Sequence, residues 1–195
     1  VTGVQTCALP IYMNKINNMK TTIFALALFL GTAAMAFAVT DTATHDVTMQ
    51  INEIALIDLN DGTAITLTTN PPASGGDLVQ GDTDSTKLLQ YTSLVGAVGT
   101  RNITVEWGGA DAAPAGTSLS VEATSVTAGC GTVVGGGTAI SAVAASIVTG
   151  IGSCATGTGA NGAALTYTFA ITDVNSLVVG DNQTVTITFT LTDAA

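Results

Sequence analysis

Apolar and polar residues take turns along most of the chain. In TVTITFTLT, over 184–192, Val185, Ile187, Phe189 and Leu191 alternate with threonine at every intervening position. A period of two places successive side chains on opposite faces of a strand, so one face meets a core and the other meets water. LTYTFAIT repeats the pattern over 165–172, with Leu165, Tyr167, Phe169 and Ile171 inward. NITVEW puts Ile103, Val105 and Trp107 on the inner face, and SLSVEAT puts Leu119, Val121 and Ala123 there. Val47, Met49 and Ile51 mark a first strand, Ile65 and Leu67 another, and residues 87–94 and 144–151 two weaker ones. Turn chemistry separates these runs: Asp61-Gly62, Asn70-Pro71-Pro72 with Ser74-Gly75-Gly76, Gly108-Gly109, and Gly180-Asp181-Asn182, which is expected to join the last two strands as a hairpin. About eight or nine strands with no helical period between them predict an all-β chain. One-sided alternation favours a single antiparallel β-sandwich, two sheets sharing one core.

The front of the chain follows a different rule. From Met13 to Ala38 it has the three parts of a secretory signal peptide: Lys15 and Lys20, the apolar IFALALFL, and the small-x-small site Ala36-Phe37-Ala38. This predicts a signal-peptide helix over 13–38 and a mature chain from Val39, with the true start at Met13 or Met19. The apolar run over 23–38 is 16 residues, short of the roughly 20 that span a bilayer. Ahead of it, VTGVQTCALPI resembles the translation of a sequencing adapter read in frame, so residues 1–12 are set apart as an artefact. The expected organisation is therefore 1–12, the signal over 13–38, and one domain over 39–195.

That division changes the cysteine count, because Cys7 leaves with the front end. Cys130 and Cys154 remain, and an even pair in an exported chain predicts one disulfide. Closing a loop of about 25 residues is worth about 3.5 kcal/mol in the chain-entropy picture. Both cysteines lie in or beside Gly-rich stretches, AGCGTVVGGG over 128–137 and the run over 150–162.

The charge balance sharpens the reading. All 14 acidic residues follow Ala38, while only Lys87 and Arg101 do so among the basic ones, a net charge of −12 over 39–195. Such a surface repels nucleic acid and anionic membranes, and no membrane insertion is expected after signal cleavage. Charged residues make up 9% and hydrophobic ones 47%, the reverse of a disordered chain.

Candidate chemistry is sparse. The single histidine, His45, sits near the mature N-terminus, and no GxSxG nucleophile motif is present. Glu106 and Glu122 fall on outward strand positions, so paired carboxylates for glycoside hydrolysis are not indicated. No enzymatic activity and no cofactor are expected. Asp58-Leu59-Asn60-Asp61-Gly62 lacks the alternating oxygens of a calcium loop; Asp77, Asp82 and Asp84 are the better calcium candidates. Trp107 is the candidate ligand-binding aromatic. Asn102-Ile103-Thr104 and Asn182-Gln183-Thr184 fit the glycosylation pattern.

The C-terminal alternation over 165–195, read as a closing hairpin, resembles that of small secreted bacterial surface proteins: spore-coat-U-like, fimbrial-subunit-like and WxL-type domains. The resemblance implies an Ig-like or fimbrial-like sandwich with a structural or adhesive role. The sole Trp is followed by Gly108-Gly109 rather than completing a WxL motif, and the chain ends Asp193-Ala194-Ala195 without a penultimate aromatic. The expected function is thus an exported structural or adhesive subunit of a filament or coat, secreted, periplasmic or on the cell surface, partnered by its own copies or other surface proteins. The segment over 39–51 is the expected point of pairing with a neighbour's sheet edge. The alternative is a carbohydrate- or ligand-binding module, calcium-assisted through the acidic loops and Trp107.

Overall fold

The computed structural model describes residues 41–194. The expected signal segment and residues 1–12 lie outside them. The chain divides into two compact units, Val1–Thr48 and Met49–Ala195. Within the first, residues 41–48 are exposed and carry no regular structure. The sheets belong to the second.

The described fold is all-β and antiparallel, with eleven strands: β1 (Ile54–Leu59), β2 (Asp82–Asp84), β3 (Leu88–Leu94), β4 (Arg101–Trp107), β5 (Thr117–Ser125), β6 (Thr132–Val133), β7 (Thr138–Ala139), β8 (Ala145–Ile151), β9 (Cys154–Ala155), β10 (Ala163–Ile171) and β11 (Ile187–Asp193). One sheet runs β1-β3-β10-β5-β7, with β2 beside β10 and β9 beside β3; the other runs β11-β4-β8-β6. Five strands lie outside the expected runs: β1, whose IALIDL is apolar at all but one position and so does not alternate, and four of two or three residues, too brief for any alternation to announce them.

The alternating runs form strands for the expected reason. Leu89 and Tyr91, Val121 and Ala123, and Leu165 and Tyr167 come from one sheet, Ile103, Val105, Ile147, Val148 and Ile151 from the other, and all are buried in one cluster. Burying each such side chain contributes about 1.5–3 kcal/mol. Phe169 and Ile171 stay half-buried at the end of β10.

Three expectations are corrected. Val47, Met49 and Ile51 alternate as a strand should, yet residues 41–53 are exposed throughout and the first strand begins at Ile54. Alternation makes a strand only where another backbone lies alongside to complete the hydrogen bonds. Ile65 and Leu67 point inward onto the core, but residues 62–69 form no ladder. Side chains stand in for it: the Thr68 amide donates to the Asp82 carboxylate at 3.3 Å, and Lys87 Nζ reaches Asp61 and Thr63 at 3.2 and 3.0 Å. A single isolated bridge forms at Asn70, opposite Gln80.

The third correction concerns the C-terminal hairpin. β10 pairs with β5, β2 and β3, while β11 pairs with β4 in the other sheet. Residues 172–186 therefore cross between sheets. Asp173 caps a short 3-10 turn, Val174–Ser176, on the way. The turn expected at Gly180-Asp181-Asn182 does form, with the Asp181 amide donating to Val178, but it does not bring β10 and β11 together. Thr186 spends its amide on Asp111 at 3.0 Å, and β11 starts just after it.

Gly81 is required by crowding. A Cβ on Gly81 would overlap the carbonyl oxygen of Phe169, where β2 runs beside β10. Gly81→Ala is expected to cost about 2 kcal/mol in denaturant unfolding, as overpacking does. Gly75→Ala, with nothing near its Cβ, serves as the control; equal stability of the two variants would refute the close approach.

Candidate functional site

The sulfurs of Cys130 and Cys154 are bonded, with their Cα atoms 5.5 Å apart. Cys154 lies on β9, which pairs with β3, and Cys130 lies in the loop between β5 and β6. The bridge thus ties down the two Gly-rich stretches. Tyr91 on β3 locks the same point from the core side, its buried hydroxyl donating to the Cys130 carbonyl at 2.6 Å. Burial pushes this phenol up to about 12.

The acidic candidates are spoken for locally. Asp82 accepts from the Thr68 amide and Asp84 from the Thr86 amide and hydroxyl, while the Asp77 amide closes a turn onto Ser74. Among the described residues no three His, Cys, Asp or Glu side chains gather as a metal-holding group, so the structure does not bring Asp77, Asp82 and Asp84 together. In the other acidic loop, Asn60 accepts the Leu88 amide at 2.6 Å and Asp61 holds Lys87. Trp107 ends β4 half-buried, with its side chain packed against the core.

Two surface depressions, of about 550 and 520 Å³, flank the first sheet. Asn70, Gln80, Asp82 and Phe169 line the first, and Leu56, Asp58, Gln90 and Ala155 the second. Each contains one carboxylate.

Two residues that sequence reasoning passed over prove central. Lys87 and Arg101 have side chains only 6% exposed. Arg101 Nη1 donates to the carbonyls of Ile54 and Leu94 at 2.7 and 3.2 Å and to Ser93 Oγ at 3.3 Å. Its Nη2 meets Glu53 at 2.8 Å, and Nε meets Asp193 at 3.1 Å. A side chain on β4 thereby grips β1 and β3 of the other sheet and the end of β11. A guanidinium suits this task because its donors diverge in one plane. The one available signal was scarcity: Lys87 and Arg101 are the two cations of residues 39–195, and neither of them is exposed.

Asp61 also shows how these partners set ionisation. Hydrogen bonds from the Thr63 hydroxyl and amide, and then from Lys87, lower its carboxyl from 3.8 to about 2. The Ser176 hydroxyl and Asn175 amide lower Asp173 likewise. A carboxyl depressed on folding adds stability that is complete above the unfolded value and is lost as pH falls through the folded one. Thermal melts from pH 5 to pH 2 should therefore show falling stability, and Asp61→Asn should flatten the fall. An unchanged slope in that variant would show that Asp61 contributes nothing.

The remaining feature is the run that fails to become a strand. Val47, Met49 and Ile51 are 67, 88 and 86% exposed. They alternate with Thr48, Gln50 and Asn52, and no charge falls between Asp46 and Glu53. Arg101 fixes the chain just after this run, at Glu53 and Ile54. The chain matches no family model, no curated protein and no solved structure.

Proposed function

We propose that the chain is an exported structural subunit, a disulfide-linked β-sandwich of Ig-like or fimbrial-like type, that self-associates in an extracellular or cell-surface coat or filament. The observation that carries this reading is the uncharged, alternating, exposed run of Val47, Met49 and Ile51. An apolar strand left without a sheet is a template for pairing with another chain. The sandwich type is supported by the single core that both sheets share. Export is supported by the signal-like segment over 13–38 and the Cys130–Cys154 bond, which persists in oxidising compartments. No described helix is long and apolar enough to cross a membrane.

The assembly should respond to salt in a characteristic way. Bodies of net charge −12 repel one another, and added salt screens that repulsion over about 8–10 Å. Sedimentation across rising protein concentration should show oligomers, more of them at higher ionic strength. A monomer at every concentration and salt level refutes self-association.

A further inference from the structure

We propose that Asn182 is an N-glycan acceptor that the folded chain presents to a glycosyltransferase, while the chain's other Asn-x-Thr tripeptide, at Asn102, is closed by the fold. The site needs export but not self-association, so it stands apart from the assembly reading.

N-linked transfer joins the asparagine Nδ2 to the anomeric carbon of a sugar activated as a diphosphate. The C–N bond forms as the C–O bond to the diphosphate breaks. The diphosphate leaves with the bonding pair, and an amide proton passes to a base of the transferase. The transferase must surround the carboxamide and the hydroxyl two residues on, so the tripeptide has to lie on an exposed loop.

Asn102-Ile103-Thr104 and Asn182-Gln183-Thr184 satisfy the pattern equally as sequence. Their surroundings differ. Asn102 is half-buried on β4, between β11 and β8. It sits where the register with β8 shifts, and its Oδ1 accepts the Gly150 amide there at 3.2 Å. Ile103, the middle residue, is fully buried in the core. Pairing on both sides holds Asn102 and Thr104 about 6.5–7 Å apart along one face. Bending this tripeptide into a transferase would break both ladders and draw Ile103 out of the core.

Asn182, Gln183 and Thr184 are all exposed and belong to no strand. They follow a turn that the Asp181 amide closes on Val178, and they precede Thr186, whose amide is held by Asp111 at 3.0 Å. Between these anchors the one hydrogen bond of the tripeptide among the described residues runs from Gln183 Nε2 to Asp181 Oδ1, at 3.0 Å. The Asn182 carboxamide and the Thr184 hydroxyl are both available.

Two neighbours fit a glycan here. Val178 and Val179, in the same turn, are exposed apolar side chains, and a sugar chain rooted at Asn182 would cover them. Ile187 pairs with Trp107 and Asp193 with Arg101, so the turn lies at the Trp107 end of β4. The length of that strand, about 20 Å, separates it from Arg101 and from the Glu53 that Arg101 binds. A glycan at Asn182 is therefore clear of the segment before β1.

The chain exported by its source cells should carry sugar on the peptide holding Asn182 and none on the peptide holding Asn102. A preassembled oligosaccharide there marks a lipid-linked donor, and a single hexose a nucleotide-linked one. An unmodified Asn182 peptide overturns the proposal. The folded, disulfide-bonded full chain is also treated with a soluble asparagine glucosyltransferase that reads Asn-x-Ser/Thr, with UDP-glucose as donor, and mapped by mass spectrometry. One glucose, at Asn182, supports the proposal. Asn182→Gln and Thr184→Ala should each abolish that uptake with denaturant unfolding unchanged, and the reduced, unfolded chain should take glucose at Asn102 as well. Uptake at Asn102 by the folded chain, or none at Asn182, overturns it. Neither failure touches self-association, and a chain that stays monomeric leaves the acceptor site intact.

Discussion

Between pH 10 and pH 12 the folded state is expected to lose about 4 kcal/mol of stability, from the two buried tyrosines alone. Burial raises the hydroxyl of Tyr91 from 10.0 to about 12. Tyr167 rises equally, through burial first and the nearby Asp84 carboxylate second. In the unfolded chain both phenols ionise near their ordinary value of about 10. The folded state therefore holds two protons that the unfolded state has released, and stability falls as pH rises through this window. Each tyrosine contributes at most about 1.4 kcal/mol per pH unit, in the middle of the window, and about 2 kcal/mol across it. Domains of this size have roughly 5–15 kcal/mol in total, so alkaline unfolding should follow. Tyrosinate absorbance from Tyr91 and Tyr167 should appear together with the loss of β-sheet circular dichroism. Tyr167→Phe should remove half of the slope. Should both phenols titrate near pH 10 with the sheet signal intact, their burial is wrong. Tyr91→Phe has a separate cost at neutral pH, about 1–2 kcal/mol, because the buried Cys130 carbonyl loses its donor.

Replacing Arg101 is expected to have the next largest effect. Arg101→Met should lower unfolding free energy by about 3 kcal/mol. Little of this comes from charge attraction, because Glu53 and Asp193 are 61 and 79% exposed in their side chains and exposed pairs are worth only about 0–1 kcal/mol. The loss comes from the carbonyls of Ile54 and Leu94, which the guanidinium satisfies between the sheets. Arg101→Lys should recover less than half, since one ammonium cannot reach along all five directions. Glu53→Gln should cost under about 1 kcal/mol. Denaturant melts of the three variants give the ranking. If Arg101→Met matches the parent, the link between sheets carries no weight. If Glu53→Gln equals Arg101→Met, the ion pair rather than the carbonyls is responsible.

Arg101 also marks the boundary of what periodicity conveys. Its row, NITVEW, announces a strand with Ile103 and Val105 inside, and that strand is there. Nothing in the row says that the arginine before it turns inward and reaches the other sheet. Period two specifies a face, not which face of which neighbour. The same limit appears at both ends of the fold. Val47, Met49 and Ile51 have the pattern of a strand and no partner within the described chain. β10 and β11 have matching patterns and different sheets. Their alternation is satisfied wherever an apolar row meets the core, and the crossing over 172–186 is long enough to reach either sheet.

The candidate site was legible only in part. Within the segment over 39–51, Val47, Met49 and Ile51 alternate with no charge between them, which is a property of adjacent residues. Asp77, Asp82 and Asp84 look like a cluster along the chain, but the Asp82 and Asp84 carboxylates accept from Thr68 and Thr86 and the three do not gather as a metal-holding group among the described residues. Trp107, the candidate ligand-binding aromatic, lies half-buried against the core at the end of β4.

By itself, then, the order of residues determined the all-β class, the inward faces of the long strands and the two cysteines that pair, because each follows from chemistry repeated every second residue or from a count. Only the tertiary structure decided which strands are edges, that the last two strands part company, and that both cations are spent inside the fold. Those outcomes depend on hydrogen bonds between residues far apart in the chain, and no local pattern encodes a distant partner.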